Sequence, residues 1–257
     1  MKYSVLIIGH GYVGKAVHAA FNKDSVDIID PKFTKLNISD VRHKKYDIVF
    51  VCVDTPIKEN FKTLNSVLSD ANKFLKKSTL VCCKSTALPD FYYRCQKKYT
   101  NINVVFSPEY LSHWNNIDDF ANQSFIIAGG EKKYAKKAAN ILSSRLKFVK
   151  KIKITDIKTA ALTKYAVNAF LSLKVTFAND LYNISKRLKC KSFEELADLF
   201  GTDIRIGHSH LQVPGRDGKF GWGGHCYEKD NQEFVKFTRS KLLKTMIAIN
   251  KIHRKQT

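Results

Sequence analysis

The sequence predicts an α/β protein: a doubly wound parallel sheet followed by a smaller all-helical domain with a long central helix. Two observations carry this prediction. In the first half, short continuously apolar segments alternate with segments of helical periodicity, as in parallel sheets that helices cover on both faces. In the second half, residues 156–188 contain neither Gly nor Pro and are apolar at helical spacing.

Helices make up the second half of the chain. The long helix at 156–188 comes after the alternating half, and SFEELADLF is a further helix, with Ser192 as N-cap and Glu195 three positions on. A Gly-rich loop covers 201–225, and a last helix follows. We therefore expect an α/β domain over 1–153 and a helical domain over 154–257. The predicted strands are YSVLIIG, VDIID, YDIVFVCV, STLVCC, INVVFS and SFIIAGG, and the helices among them are YVGKAVHAAFNK, LNSVLSDANKFLKK, LPDFYYRCQKKY and EKKYAKKAANILSS.

Composition bounds the class of protein. The 257 residues are 44% hydrophobic and 26% charged, which is typical of globular proteins. No apolar run approaches the ~20 residues that span a bilayer, and the opening MKYSVLIIGHGYVG indicates a first strand, not a signal peptide. The six cysteines have no metal-ligand spacing, and several lie in apolar strands. We expect a cytoplasmic protein with reduced cysteines and neither a disulfide framework nor a metal site.

The net charge of +21 raises the question of nucleic-acid binding. Of the 44 basic residues only eight are Arg, the residue favoured for phosphate forks and base edges. The lysines are scattered over predicted helix faces and are not gathered around aromatic residues. A basic solvated surface is therefore favoured over nucleic-acid binding, and such a surface attracts diphosphate ligands.

A glycine motif predicts a dinucleotide site. In VLIIGHGYVGKAV, Gly9, Gly11 and Gly14 follow a strand and open a helix. They allow a tight turn, close approach of a pyrophosphate and close helix packing, with the diphosphate on the positive helix end. Asp30 ends the second strand at the spacing of the acid that binds the ribose 2′-hydroxyl. A Rossmann-type domain that prefers NAD to NADP follows.

Two residue pairs in the second half share a helical spacing. Lys164 and Asn168 lie four apart, on one face of the long helix. Cys226 and Asp230 have the same spacing behind three glycines, and a helix beginning near Cys226 would favour its thiolate, as would Lys229. Taken singly, a buried structural thiol and a solvated lysine are the commoner interpretations. Their combination with KST (84–86) and SPEYL (107–111), at predicted strand ends, favours catalysis.

These residues resemble the UDP-glucose/GDP-mannose dehydrogenase family. The resemblance runs from residue 2 to about 240, and the combination of motifs is specific although no single one is. The motifs, in the family's order, are GHGYVG, VDTP (53–56), KSTALP (84–89), SPEYL, KYAVNAFLSLKVTFAND (164–180), DIRIG (203–207) and GWGGHCYEKD (221–230).

The resemblance implies a four-electron oxidation of a sugar C6 alcohol to a carboxylate with two NAD in succession. Asp230, through a water held with Thr86, would take the hydroxyl proton, while Lys164 and Asn168 stabilise the oxyanion. Cys226 would form the thiohemiacetal that is oxidised to a thioester. Glu109 would assist its hydrolysis.

Further contacts are implied in the same way. Arg205 would reach the substrate of a neighbouring subunit, and the 156–188 helix would join two subunits in a homodimer. Glu109, Tyr110, Leu111, Lys164, Asn168 and Gly223 would contact the sugar, and Gly9, Gly11, Tyr12, Val13, Gly14, Asp30, Lys35, Val53, Thr55, Pro56, Ser85, Thr86 and Lys229 would contact NAD.

The chain also departs from the family pattern. Family members usually continue into a domain that holds the nucleotide half of the substrate, and this sequence ends 27 residues after Asp230, so we expect that domain to be absent. His113 stands where the family has a second Glu. A histidine directly before the cysteine, here His225, is similar to the UDP-N-acetylmannosamine dehydrogenases, but those relatives generally lack the lysine found here as Lys229 and an SPEYL-type sequence. UDP-glucose is the favoured substrate. The alternatives are GDP-mannose or an N-acetylated UDP-sugar, or a non-catalytic remnant that binds NAD or nucleic acid.

Overall fold

The computed structural model describes residues 2–111 and 115–256, with the backbone alone for His225 and Cys226. These ranges contain seven strands, nine α-helices and two short 3-10 helices, Ile38–Val41 and Ile57–Glu59. The strands are β1 (Ser4–Ile8), β2 (Ser25–Ile29), β3 (Ile48–Val51), β4 (Thr79–Cys83), β5 (Ile102–Phe106), β6 (Phe125–Gly129) and β7 (Lys151–Thr155). The helices are α1 (Tyr12–Ala20), α2 (Lys62–Phe74), α3 (Pro89–Lys98), α4 (Asn116–Ala121), α5 (Lys132–Ser143), α6 (Ile157–Arg187), α7 (Phe193–Gly201), α8 (His225–Thr238) and α9 (Lys241–His253).

The strands form one sheet in the order β2-β1-β3-β4-β5-β6-β7. Strands β1 to β5 are parallel, and β6 is parallel to β7. Strand β6 runs antiparallel to β5 and meets it where Phe106 pairs with Gly129. The predicted class, a Rossmann-type α/β sheet followed by helices with a long central one, is confirmed.

Both faces of the sheet are buried, which explains the continuous apolar runs. Along β1, Leu6 and Ile8 face one core, which contains residues of α2 and α3. Val5 and Ile7 face the other, which contains residues of α1 and α5. Because successive side chains of a strand point to opposite faces, a strand that is covered twice needs apolar residues at every position. Four cysteines, Cys52, Cys82, Cys83 and Cys95, are free and buried in these cores.

Three elements were not predicted in this form. Strand β7 is largely exposed and alternates Lys with Ile, so it lacks the buried-strand signal. Helix α4 has only six residues, and no helix was predicted there. The predicted last helix is two helices, because Arg239 takes a left-handed conformation (φ 54°) and the Ser240 side chain caps α9 by accepting from Leu243 N.

The chain divides into two compact units, Met1–Lys164 and Tyr165–Thr257, inside α6. The boundary predicted near residue 153 lies in β7 and stays a prediction. The second unit has its own core around Ala178, Phe193 and Leu211. Ser192 caps α7 as predicted, accepting from Glu195 N at 3.0 Å. Within the two described ranges, no helix combines the length and the apolar character that a membrane crossing needs.

Candidate active site

The turn between β1 and α1 is built on two glycines that packing requires. Gly9 has φ +89°, and a Cβ there would lie 2.8 Å from the carbonyl carbon and oxygen of Cys52. A Cβ on Gly14 would lie 2.0 Å from the Gly9 carbonyl oxygen. Any side chain at either position would therefore push α1 away from the strand ends.

Gly11 differs, because the space around it is open. It is the N-cap of α1, and apart from the adjoining chain no heavy atom of the described residues lies within 4 Å of its Cβ position. Beside it, the Asp30 carboxylate accepts from His10 N at 2.7 Å and from Lys32 N at 2.8 Å. An open helix N-terminus for a diphosphate and a fixed carboxylate for a ribose fit NAD.

The loops that follow β3 and β4 are tied to each other. Thr55 Oγ1 donates to the Thr86 carbonyl at 2.8 Å, and Ser85 Oγ donates to the Val53 carbonyl at 2.6 Å. The Tyr92 hydroxyl donates to the Ser85 carbonyl. Four residues predicted to bind the cofactor thus lie together at the carboxyl ends of two neighbouring strands, where open α/β sheets bind ligands.

Lys164 belongs to the first unit and is buried, with 6% of its surface exposed. Its Nζ donates to the Glu109 carbonyl at 2.7 Å and lies 3.7 Å from Glu109 Oε1. The same ammonium lies 5.1 Å from the centre of the Tyr110 ring, and Glu109 Oε2 accepts from Leu111 N at 3.2 Å. Lys164 is therefore not a solvated surface lysine, and the SPEYL motif surrounds its charge.

Lys84, the first residue of KST, is a second buried lysine, and no role for it was predicted. It is 2% exposed, and its Nζ donates to Ser107 Oγ at 3.2 Å and lies 5.4 Å from the centre of the Phe120 ring. Burial lowers the pKa of the Lys84 ammonium. The signal that marks it is a lysine directly after the fully buried run TLVCC.

In the second unit, Asn168 and Asp230 are in direct contact. Asn168 Nδ2 donates to Asp230 Oδ2 at 2.6 Å, and both residues are buried. Lys229 Nζ lies 2.7 Å from the other carboxylate oxygen, Oδ1. A buried carboxylate is thus held between an amide and an ammonium, a pairing that offsets the cost of burying its charge.

Tyr165 and Glu233 extend this cluster and were missed from the sequence. The Tyr165 hydroxyl donates to Glu233 Oε2 at 2.8 Å, and Lys229 Nζ lies 3.7 Å from the same oxygen. Burial raises the pKa of the Glu233 carboxyl, and burial together with the neighbouring carboxylates raises the pKa of the Tyr165 hydroxyl. Only their chain positions, with Tyr165 next to Lys164 and Glu233 three residues after Asp230, could have drawn attention to them.

The glycines before α8 differ in their surroundings. A Cβ on Gly223 would lie 2.5 Å from Arg254 Nη2, so that space is already filled. Gly224 caps α8 with φ +89°, and nothing in the described structure beyond the adjoining chain lies within 4 Å of its Cβ position. Helix α8 begins at His225, which places Cys226 in its first turn as predicted. The Cys226 and His225 side chains lie outside the described structure, as does His113.

Comparisons with known proteins identify the family. Residues 31–147 match the model of the NAD binding domain of the UDP-glucose/GDP-mannose dehydrogenase family, and residues 158–252 match that of its central domain. The chain belongs to this family. The matched NAD-binding domain shows NAD as its cofactor.

Three relatives illustrate the match. UDP-glucose 6-dehydrogenase TuaD of Bacillus subtilis is 27% identical over 244 residues, which cover 89% of this chain and 51% of that protein. A UDP-glucose dehydrogenase from Pyrobaculum islandicum shares the fold with a TM-score of 0.83 at 21% identity, over 98% of this chain and 68% of that one. A UDP-D-ManNAc dehydrogenase from Pyrococcus horikoshii has a TM-score of 0.79 at 18% identity, over 96% and 68%. The chain spans about half the length of the curated relative.

Two residues that the family pattern assigns to ligands lie at the surface. Arg205 forms an ion pair with Asp203 of its own turn, through Nε at 3.0 Å and Nη2 at 2.5 Å, and its side chain is 85% exposed. Lys35 is exposed in the segment after Asp30. Their roles toward a partner subunit and toward NAD stay predictions.

Proposed function

We propose that the chain is an NAD-dependent nucleotide-sugar dehydrogenase that oxidises the C6 alcohol of UDP-glucose to the carboxylate. The observation that carries the proposal is the 2.6 Å contact between Asn168 Nδ2 and Asp230 Oδ2. It fixes a buried carboxylate beside an amide donor, which is the pairing that a general base and an oxyanion-stabilising group require.

In the first oxidation, Asp230 accepts the proton of the C6 hydroxyl, through a water held with Thr86. Lys164 and Asn168, one turn apart on α6, stabilise the developing oxyanion with an ammonium and an amide. The carbon loses a hydride in the same step, and hydride acceptance is the chemistry that NAD supplies when bound. The product is an aldehyde.

In the second oxidation, the Cys226 thiolate adds to the aldehyde carbon and the carbonyl oxygen takes a proton, giving a thiohemiacetal. Loss of that proton and of a second hydride, for which a second NAD would be the acceptor, leaves a thioester. The covalent bond keeps the aldehyde from escaping between the two oxidations. The position of Cys226 in the first turn of α8, at the positive end of the helix, supports a thiolate in this role.

Hydrolysis of the thioester completes the proposal. Water loses one proton to Glu109 as it adds to the thioester carbon, and its other proton passes to the leaving sulfur as the C–S bond breaks, so the carboxylate is released and the Cys226 thiol is regenerated. Glu109 assists that water. The contact between Lys164 Nζ and Glu109, 3.7 Å from Oε1, supports the assignment because it fixes where the carboxylate lies.

UDP-glucose is proposed as the substrate, and the cytoplasm as the location. The similarity to UDP-glucose 6-dehydrogenase TuaD and the presence of SPEYL and Lys229 support this substrate. The net charge of +21 suits a diphosphate. The buried free thiols Cys52, Cys82, Cys83 and Cys95 support a reducing compartment.

The test is NADH formation by the purified chain with UDP-glucose, with GDP-mannose and UDP-N-acetylmannosamine in parallel. We expect two NADH and one UDP-glucuronate per UDP-glucose. If another sugar nucleotide is the better substrate, the substrate assignment is wrong and the chemistry stands. No NADH with any of them, together with tight and salt-resistant DNA binding, would support the non-catalytic alternative.

Two variants test the chemistry. Asp230→Asn keeps the shape of the side chain and removes the base, so kcat should fall by roughly 10²–10⁴-fold. Glu228→Gln, an exposed carboxylate on the same helix, is the matched control and should keep normal activity.

Cys226→Ser should stop the reaction before the acid is released. Release of carboxylate by Cys226→Ser at the normal rate would exclude the covalent step.

A further inference from the structure

The segment that precedes α8 is held by a side chain that the proposed chemistry does not use. Asn250, on the last turn of α9, is 5% exposed. Its Oδ1 accepts from Trp222 N at 2.8 Å, and its Nδ2 donates to the Trp222 carbonyl at 2.9 Å. One carboxamide thus pairs with both backbone groups of one residue, as a neighbouring strand would.

Two residues of α6 hold the same segment from another side. Gly221 N donates to Asn179 Oδ1 at 2.9 Å. Trp222 Nε1 donates to Thr176 Oγ1 at 3.0 Å, and the Trp222 side chain is buried. The backbone at 221–222 is therefore fixed by buried hydrogen bonds from two helices, directly before the glycines that lead into Cys226.

Arg254, one turn beyond Asn250, holds the earlier part of the loop. Its Nη1 donates to Asp217 Oδ2 at 2.8 Å and to the Phe220 carbonyl at 3.4 Å. Its guanidinium also fills the space beside Gly223. Arg254, the C-cap residue of α9, therefore contacts the loop at residues 217, 220 and 223.

We propose that Asn250 is a positioning residue. Its carboxamide fixes the backbone at Trp222 and so fixes the position of the start of α8, the helix that contains Cys226 and Asp230. This inference rests on the proposed function for its consequence in catalysis. A displacement of about 1 Å at reacting groups can cost about 10²-fold in rate, so a rigid lead into α8 has a direct effect on the reaction. Only a side chain with both an acceptor and a donor can pair with the Trp222 N–H and carbonyl together.

The test compares three variants of the full chain. Asn250→Asp keeps the shape and the acceptor but loses the donor to the Trp222 carbonyl. Thr176→Val keeps the shape at the indole contact and removes its acceptor, and it is the milder variant if Asn250→Asp does not fold. Met246→Ala is the matched control, because Met246 is a buried residue of α9 that has no hydrogen bond to the loop.

Three readouts separate positioning from mere stability. The chain has two tryptophans, so in a Trp114→Phe background the fluorescence reports Trp222. The second readout is kcat with UDP-glucose, and the third is the Kd for NAD. We expect Asn250→Asp and Thr176→Val to shift Trp222 emission to the red and increase its quenching by acrylamide. Their kcat should fall roughly ten- to a hundredfold, with the Kd for NAD unchanged.

The outcomes are distinct. The control Met246→Ala should lower the melting temperature while kcat and Trp222 emission stay normal. If folded Asn250→Asp and Thr176→Val keep normal kcat and emission, the inference is wrong. If the wild-type chain turns over no sugar nucleotide, the proposed function fails, and Trp222 emission and quenching still decide whether Asn250 fixes the loop.

Discussion

At the residue scale, Lys84 shows how burial changes an ordinary side chain. Its Nζ contacts Ser107 Oγ, a hydroxyl that compensates little for the water that an ammonium loses on burial. Burial therefore lowers the pKa of Lys84 below that of an unfolded lysine. Between the two pKa values the unfolded chain binds the additional proton, so the folded state gains stability as the pH rises.

We predict that the pH dependence of stability will reveal this lysine. As the pH approaches the unfolded lysine pKa of about 10.4 from below, the unfolding free energy of the wild type should rise relative to that of Lys84→Met. The slope of the difference is at most about 1.4 kcal/mol per pH unit. Urea unfolding of both proteins across this range measures it. Lys77→Met, at an exposed site of the same unit, should give no such difference. If the unfolding free energies of the wild type and of Lys84→Met change with pH in parallel, the pKa of Lys84 is not lowered by burial.

Sequence spacing predicts only those neighbours in the candidate site that lie on one helix. The i to i+4 spacing of Lys164 and Asn168 on one helix needs only a period of 3.6 residues, so it could be read directly. The pairing of Asn168 with Asp230 joins positions 62 residues apart, and Tyr165 with Glu233 joins positions 68 apart. Those contacts depend on how α6 and α8 pack, and no local pattern in one sequence contains that information.

At the scale of elements, the N-terminus of α1 separates two uses of glycine. A side chain at Gly14 would meet the Gly9 carbonyl, whereas one at Gly11 would enter open space. Gly11 also lies outside the left-handed region that favours glycine, with φ −76°. Packing therefore explains Gly14, whereas no packing contact accounts for Gly11, and its role toward the diphosphate stays a prediction.

Alanine at each glycine should separate packing from ligand binding. Gly11→Ala should keep the wild-type melting temperature and weaken NAD binding, because its methyl group occupies the space of the diphosphate. Gly14→Ala should lose both, since α1 must move to avoid the clash. Calorimetric titration with NAD and thermal unfolding give the two quantities. Normal NAD affinity in Gly11→Ala would show that the diphosphate lies elsewhere.

The predictability of the elements follows the same physical logic. The buried strands β1, β3 and β4 were predicted because double burial forces an apolar residue at each position. The edge strand β7 is exposed and lacks that signal. The break between α8 and α9 falls at Arg239, which has positive φ. Arg rarely adopts positive φ, and no Gly or Pro stands there, so the sequence gives no signal for the break.

At the scale of the whole molecule, one helix presents an apolar surface to solvent. On α6, Phe170, Phe177 and Ile184 are 66%, 50% and 40% exposed. They are seven residues apart, so they line one face of the helix, as in the seam of a coiled coil. We call these three residues the α6 stripe. Exposed apolar rows of this kind mark association surfaces, which supports the predicted homodimer through the 156–188 helix.

The α6 stripe gives the last prediction. The wild type should sediment as a dimer of its 29.3 kDa chain, and Phe170→Glu with Phe177→Glu should yield a folded monomer, because each dimer would bury like charges. Leu242→Glu, an equally drastic change at an exposed apolar site on α9, should stay dimeric. If Arg205 contacts the substrate of a neighbouring subunit, the monomer and Arg205→Ala should show the same rise in KM for UDP-glucose. Adding Arg205→Ala to the monomeric variant should then raise KM no further, since both changes remove the same contact. A monomeric wild type would refute the dimer, and additive effects would refute the shared contact.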